Sequence, residues 1–400
     1  MIEYPNKLDK IFDKLDKHNI KPIIIGGFVR DYLLGMESKD VDIEVYNISS
    51  YEKLEDILKE FGRVNSVGKS FGVCKITLDD LELDFSLPRM DSKISAGHRG
   101  FDIKIESNID FVTATSRRDF TINSIGYDIK NQKILDPYNG VKDLKKRILK
   151  IVDKKTFNQD PLRVLRAMQF CARFELRCDK TLISTCQEMI ANNMLKELSK
   201  ERIYKEFKKL FLKSQKPSIG LIFLAQVNGL NYFDELQMKN ELWIKTLTSI
   251  DKFSNNKTDN KNTNITISLA LLCYETDAGK IKSLIDKLSD KKNLFKKIYS
   301  FHHIAKHIQN RDNKLLYEVT KKIDTKELIP FLKALNIDNK EIKNIDNIKP
   351  IICGKEILAC GIKPSKEFSQ ILKRAYEAQI NKKFKTKKEV MTWLKNYLHT

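Results

Sequence analysis

Residues 26–44 read GGFVRDYLLGMESKDVDIE, and they follow the apolar run Ile23-Ile24-Ile25. The run predicts a buried strand, and the Gly pair predicts a tight turn into a helix with Val29, Leu33 and Leu34 at helical spacing. After Gly35 the pattern changes to Asp40-Val41-Asp42-Ile43-Glu44-Val45, with acidic and apolar residues alternating. Alternation places Asp40 and Asp42 on one face of a second strand and Val41, Ile43 and Val45 on the other. Two neighbouring carboxylates beside a Gly-rich turn make a place for Mg2+ and the phosphates it carries. Gly26 and Gly27 allow close backbone approach to a triphosphate, and Arg30 adds a charge suited to its oxygens.

This strand–turn–helix–turn–strand unit resembles the head of the DNA polymerase β-like nucleotidyltransferase superfamily. Within it, the spacing G-G-x-V-R-D…D-x-D is similar to the class II tRNA nucleotidyltransferase and bacterial poly(A) polymerase family. Asp84, in Leu81-Glu82-Leu83-Asp84-Phe85, lies on another alternating segment. It is either a third metal-binding carboxylate, as in some superfamily members, or part of a polar strand face with Glu82. Arg117-Arg118-Asp119-Phe120-Thr121-Ile122-Asn123 resembles the family's R-R-D-F-T-x-N motif without a substitution. Two adjacent Arg suit triphosphate oxygens, and Asp119 can accept a bond from a ribose hydroxyl. The bland alternative is a salt-bridged start to a strand over 122–129. Leu135-Asp136-Pro137-Tyr138-Asn139-Gly140 also resembles the family, but its Asp-Pro and Asn-Gly pairs are turn formers and read as structural.

Further on, Gln159-Asp160-Pro161-Leu162-Arg163-Val164-Leu165-Arg166 opens a helix, with Pro161 in its first turn and Asp160 as its N-cap. Asp160, Arg163 and Arg166 are spaced by three, so their side chains can share a direction. Cytosine and adenine both present an amino donor beside a ring-nitrogen acceptor. A carboxylate beside a guanidinium offers the complement, whereas guanine and uracil present the reverse order. Asp160 and Arg163 would therefore accept CTP and ATP. The segment resembles the family's nucleotide-recognition motif E-D-x-x-R, with Gln159 in place of the Glu and Gln169 where a further Arg is common. Pro88–Ser116, containing Gly97-His98-Arg99-Gly100-Phe101, resembles the family's mobile loop for switching from C to A addition; the alternative is an ordinary β-hairpin excursion.

Composition fits a soluble chain with a polyanionic partner. Of 400 residues 41% are apolar, the mean hydropathy is −0.41, and 73 Lys and Arg stand against 53 Asp and Glu, a net charge of +20. A surplus of this size favours nucleic acid. It is uneven, with twelve Lys and Arg against five Asp and Glu from Asp346 onward. No run approaches the ~20 apolar residues of a membrane span. The first residues lack a signal-peptide core, so the expected location is the cytoplasm. Seven Cys without a C-x-x-C pair read as reduced core thiols. His303 and His307 are four apart and could share a helical face as metal ligands, though no acidic cluster lies near them in sequence.

Strands are predicted at 22–25, 41–46, 72–78, 81–86 and 122–129, and helices at 51–61, 162–174, 182–198, 201–213 and 219–227. Residues 251–264 read as a polar loop. The resulting expectation is an α+β fold: a polymerase β-like nucleotidyltransferase head over 1–150, then an all-α neck (151–215), body (216–345) and basic, RNA-binding tail (346–400). The resemblance implies a template-independent RNA nucleotidyltransferase that adds or repairs the 3′-CCA end of tRNA, or extends another RNA 3′ end, from CTP and ATP. Asp40 and Asp42 would be catalytic and hold Mg2+, and Asp84 stays open between a further ligand and a polar strand face. Gly26, Gly27, Arg30, Arg117, Arg118, Asp119, Asn123, Asp160, Arg163 and Arg166 would hold the nucleotide. The alternatives are a poly(A) polymerase or A-adding-only enzyme and, from a different class, a catalytically inactive RNA-binding protein.

Overall fold

Ile23, Ile24 and Ile25 are all buried because their strand is covered on both faces, the reason for an unbroken apolar run. In the computed structural model, strand β1 (Lys21–Ile25) follows helix α1 (Asp9–Lys17) and leads into α2 (Gly27–Leu33), β2 (Asp40–Tyr46), α3 (Tyr51–Lys59), β3 (Arg63–Asn65), β4 (Val73–Leu78) and β5 (Leu81–Ser86). A two-stranded hairpin follows, β6 (Arg89–Lys93) with β7 (Phe101–Ile105), then α4 (Phe111–Ser116), β8 (Gly126–Asp128) and β9 (Lys133–Leu135). The structure describes residues 2–38, 40–48, 50–65, 72–79, 81–93, 101–105, 109–309, 323–340, 342, 350–380 and 383–398, with only the backbone of β6 and β7. The expected Gly97–Phe101 stretch therefore lies almost wholly outside the described residues.

The main sheet has the order β3-β4-β5-β2-β1-β8-β9. β1 is antiparallel to both β2 and β8, and β2 runs parallel to β5. One face carries Ile24, Val41, Ile43, Val45, Leu83 and Phe85 into a core completed by Leu8, Ile11 and Leu15 of the N-terminal segment and by Leu54 and Leu58 of α3. On the other face Ile23, Ile25 and Tyr46 pack with Ala114 and Phe111 from α4. That second cover extends over only part of the sheet, and the strand positions beyond it carry the carboxylates.

The segment read as a strand over 122–129 is divided. Thr121–Asn123 forms a 3-10 turn, and only Gly126–Asp128 joins the sheet. The cause is local: Asn123 Nδ2 donates to Asp119 at 2.9 Å and Ser124 Oγ to the Phe120 carbonyl at 3.1 Å, side-chain bonds that compete with a ladder. The Asp-Pro-Tyr-Asn-Gly turn is structural, as read. Asp136 accepts from Gly140 N (2.6 Å) and Val141 N (3.0 Å) at the start of α5 (Gly140–Lys145). A Cβ on Gly140 would lie 2.2 Å from the Thr121 carbonyl oxygen. Gly140→Ala should therefore lower stability by about 1–3 kcal/mol, the usual cost of overpacking. An unchanged denaturation midpoint would show that this backbone contact yields.

After α6 (Lys154–Phe157) come α7 (Leu162–Arg173), α8 (Lys180–Ala191), α9 (Lys200–Lys213) and α10 (Pro217–Gln226). The helix expected over 182–198 stops at Asn192, because Asn193 is left-handed (φ 57°) and a 3-10 turn follows. The chain divides into two compact units, Met1–Leu210 with Ile219–Tyr232, and Phe211–Ser218 with Phe233–Thr400. The neck helix α7 thus belongs to the unit that contains the sheet. Phe120 packs edge-on against Phe157 and Phe170 at 5.8 and 5.5 Å.

The second unit contains α11 (Asn240–Ser254), α12 (Lys261–Leu272), α13 (Ala278–Leu288), α14 (Lys292–Gln309), α15 (Thr325–Ala334), α16 (Gly354–Ala359), α17 (Lys366–Ile380) and α18 (Lys387–Leu398). The loop expected over 251–264 shrinks to 255–260. Phe253 is buried and Asp251 accepts from Ser218, which prolongs α11, and Asn260 caps α12. Helices α16 to α18 enclose a small core of Ile357, Ile371, Ala375, Val390 and Leu394. Among the described residues no helix is long and apolar enough to cross a membrane.

Candidate active site

Register decides which carboxylates meet. Asp42 lies opposite Ile25 on one side and Asp84 on the other, and Asp40 lies opposite Glu82. Asp40, Asp42 and Asp84 consequently project from the same face of adjacent parallel strands. Asp42 is solvent-accessible yet crowded. Desolvation raises its pKa, Arg118 opposes the shift, and Asp84 and Asp40 reinforce it. Asp84 is half-buried and paired with Lys75 from β4. The donor set is all oxygen and mutually repelling, which suits a hard dication. Among the described residues no three His, Cys, Asp or Glu converge to hold a metal unaided.

Glu44, two residues beyond Asp42, is fully buried. It accepts from Tyr46 Oη at 2.7 Å and Arg117 Nη2 at 3.2 Å. Arg118 reaches over the turn: its Nη1 donates to the Asn123 carbonyl at 3.1 Å, and a Cβ on Gly26 would approach that nitrogen to 2.8 Å. Gly26, with φ +67°, is therefore required both by the turn and by the guanidinium above it. Burial works against the Arg118 charge, with Glu44 the strongest carboxylate opposing that effect. Its Nε is buried without a hydrogen-bond partner among the described residues. Gly27 begins α2, and a Cβ there would make only an ordinary contact, 3.8 Å from Arg30.

Several expected ligand residues are instead committed to one another. Arg30 is 4% exposed; it donates to Asp31 at 2.8 and 2.6 Å and to Asn123, and lies over Phe174 and Phe170 at 4.6 and 5.2 Å. Its guanidinium is thus engaged within the motif, where the expectation was a charge that can pair with triphosphate oxygens. Asp119 receives Phe120 N and Asn123 Nδ2 on one oxygen and Arg166 Nε and Nη2 on the other, the last two at 2.6 Å. Burial raises the Asp119 pKa, but Arg166, Arg163 and these hydrogen bonds overcome it and hold the group below the ordinary carboxylate range.

Asp160 and Arg163 are on adjacent turns, each with protein partners. Asp160 Oδ1 accepts from Leu162 N at 3.1 Å, and both oxygens meet Arg202 Nη2 at 3.1 and 3.2 Å. The formal N-cap is Pro161, one residue after the position expected. Arg163 donates to the Thr156 carbonyl at 3.0 Å and the Arg117 carbonyl at 2.6 Å. Glu44, Arg173 (3.1 Å from Asp31) and Arg202 were missed by the sequence reading. Only Glu44 left a signal there, by extending the D-x-D alternation one further step.

A mixed sheet with a G-G turn, paired carboxylates on adjacent strands and a half-buried arginine above them are the features expected of the head of a polymerase β-like nucleotidyltransferase. Residues 23–150 match the poly A polymerase head domain. The multifunctional CCA protein of Xylella fastidiosa is 35% identical over 214 residues, 53% of this chain and 49% of that protein. The CCA-adding enzyme of Lactococcus lactis subsp. cremoris is 28% identical over 411 residues, 97% of this chain and 95% of the relative. At the higher identities, the chain spans about half the length of the curated relatives it matches. In fold it resembles an apo CCA-adding enzyme (TM-score 0.78, 20% identity, 99% of this chain and 97% of the other). It also resembles the Thermotoga maritima CCA-adding enzyme complexed with tRNA_CCA (TM-score 0.76, 21% identity, 99% and 97%). The α+β head followed by helices is thus the fold of CCA-adding enzymes.

Proposed function

We propose that the chain is a template-independent nucleotidyltransferase that adds or repairs the 3′-CCA end of tRNA from CTP and ATP, releasing pyrophosphate. The observation that carries this reading is the Asp40, Asp42 and Asp84 face beside a Gly26 turn crossed by Arg118. Solved structures similar in fold include a CCA-adding enzyme with tRNA and others with CTP or with ATP. Asp40 and Asp42 would hold Mg2+, and Asp84 would join them by releasing Lys75. Mg2+ bound there supplies Lewis-acid activation of the terminal ribose hydroxyl and neutralises charge on the leaving pyrophosphate. Arg118 donates to a triphosphate oxygen through its unpartnered Nε. Arg117, held by Glu44, keeps that segment in place. The basic tail contributes sequence-independent contacts to the RNA backbone. All seven Cys are free thiols, which supports a reducing, cytoplasmic setting.

Base selection rests on Asp160 and Arg163, which exchange their protein partners for the base edge when CTP or ATP enters. Arg202 then acts as the placeholder that keeps the Asp160 carboxylate oriented. Arg163→Ala and Asp160→Ala should each let UTP and GTP compete, since a charged hydrogen bond in a pocket is worth roughly 1.5–3 kcal/mol. Gln159→Glu should sharpen selection by giving Arg163 an anionic neighbour. Misincorporation of each nucleotide on one truncated tRNA measures this. Equal rate losses for all four nucleotides would make these residues supports of the fold. Extension of tRNAs ending before the first C, after CC and after CCA, with each nucleotide alone and combined, tests the main reading. Addition of A alone, or of many A residues, would replace it with A-adding or poly(A) synthesis, and no addition would leave an RNA-binding protein.

A further inference from the structure

The face of α14 that carries His303 and His307 takes no part in the proposed reaction. Rings recur along this 18-residue helix at every fourth position, Phe295, Tyr299, His303 and His307. Successive ring centroids are 5.8, 6.2 and 4.2 Å apart, and Tyr299 stacks on His303 with 28° between planes. Residues four apart are neighbours on a helix surface, so each ring restricts the rotamers open to the next. At the end of this ladder the Nε2 atoms of His303 and His307 are 3.1 Å apart.

Two imidazole nitrogens bound to one ion at about 2.0–2.1 Å, between square-planar and tetrahedral angles, are separated by about 2.9–3.4 Å. The observed 3.1 Å lies inside that interval. The same spacing serves an N–H···N bond between a donor and an acceptor tautomer, so a metal would replace the shared proton with little change in the separation of the two nitrogens. We propose that His303 and His307 form a chelating site for a transition-metal dication that favours imidazole, such as Zn2+, Ni2+ or Cu2+.

His302 is turned elsewhere, with its ring 6.0 Å from that of Tyr274. Glu275 is engaged by Lys306 at 3.6 Å. No third His, Cys, Asp or Glu joins the pair among the described residues. These two imidazoles are the ligands that the described residues supply. Imidazole ligands select against Mg2+, which prefers oxygen, so this site and the carboxylates of the head sort different ions.

The test is a Cu2+ titration of the full chain in excess Mg2+, read by electron paramagnetic resonance and calorimetry, with the exposed thiol of Cys353 and the partly exposed thiols of Cys178 and Cys360 replaced by Ser. One strongly bound ion with two nitrogen couplings is expected. His303→Ala or His307→Ala should weaken binding by about tenfold or more, because the chelate is lost. His302→Ala should leave affinity unchanged. His303→Gln, which keeps a polar helix surface, separates ligand loss from helix damage and should behave like His303→Ala. Equal affinity in the single-His variants, or a spectrum without two nitrogens, overturns the assignment.

Discussion

Asp42→Asn is expected to remove nucleotide incorporation while leaving the head at least as stable as before. The side chain is solvent-accessible and lies on the catalytic face between Asp40 and the register partner Asp84. Its pKa is raised by desolvation and by those two carboxylates, against the pull of Arg118. A carboxylate with a raised folded-state pKa costs stability once it is ionised, above its ordinary pKa. Neutralising it at pH 7 therefore relieves repulsion, and no apolar contact is lost. Activity should respond the opposite way, because the residue is proposed to bind the ion that stabilises the transition state. Several kcal/mol of that stabilisation correspond to a fall of about 10³-fold or more. Single-turnover incorporation of CTP and ATP, measured beside a urea denaturation midpoint, checks both halves. Incorporation within tenfold of the wild type would remove Asp42 from the chemistry. A large drop in the midpoint would make the activity loss uninformative, and Asp40→Asn, at the more exposed end of β2, would then decide.

The sequence made the scaffold of this site legible because two signals agreed. The apolar run 23–25 and the alternation 40–45 each have a single strand reading, and a Gly pair between helix and strand fixes their connection. Their register was not legible. That Asp42 faces Asp84 depends on β2 pairing in parallel with β5, a contact between segments separated by a helix and two strands. Side-chain allegiance was harder still. Arg30, Asp119 and Arg166 carry the charges expected of ligand-binding groups, yet they are engaged by Asp31, Asn123 and each other. A motif reports which residues gather at a site. It does not report which of them touch the ligand and which hold their neighbours. Arg202 is the clearest case: it lies 42 residues from Asp160 on another helix, and nothing local predicts their pairing. The loop expected over 251–264 failed for a different reason, since its polar composition hid the buried Phe253 and the Asp251–Ser218 bonds that extend α11.

Asp119→Asn should produce the largest loss of stability among the site residues, with a dependence on pH that identifies the cause. Asp119 is 6% exposed and is contacted by Arg166 through both Nε and Nη2 at 2.6 Å. Removing one partner of a buried pair costs about 3–5 kcal/mol, because the other charge is stranded. Arg166 retains 30% of its side-chain exposure, which places the expected loss at about 3 kcal/mol, the lower end of that range. The substitution leaves a single acceptor oxygen for Asn123 and Arg166 to share, and Asn123 is also the partner of Arg30, so the floor beneath Arg118 should loosen. Hydrogen exchange over residues 117–125 and along α7 should report this loosening directly. The sign of the pH effect follows from the shift. Asp119 is held below the ordinary carboxylate range, so its contribution is fully present above the unfolded value of about 3.9 and fades as pH falls through the lower folded value. Wild type and Asp119→Asn should accordingly differ most near neutrality and converge below about pH 4. A difference in midpoint that is constant from pH 7 down to the acid transition would show that the carboxylate acts through shape alone. The charge pairing of Asp119 with Arg166 would then not be what holds the neck helix to the R-R-D segment.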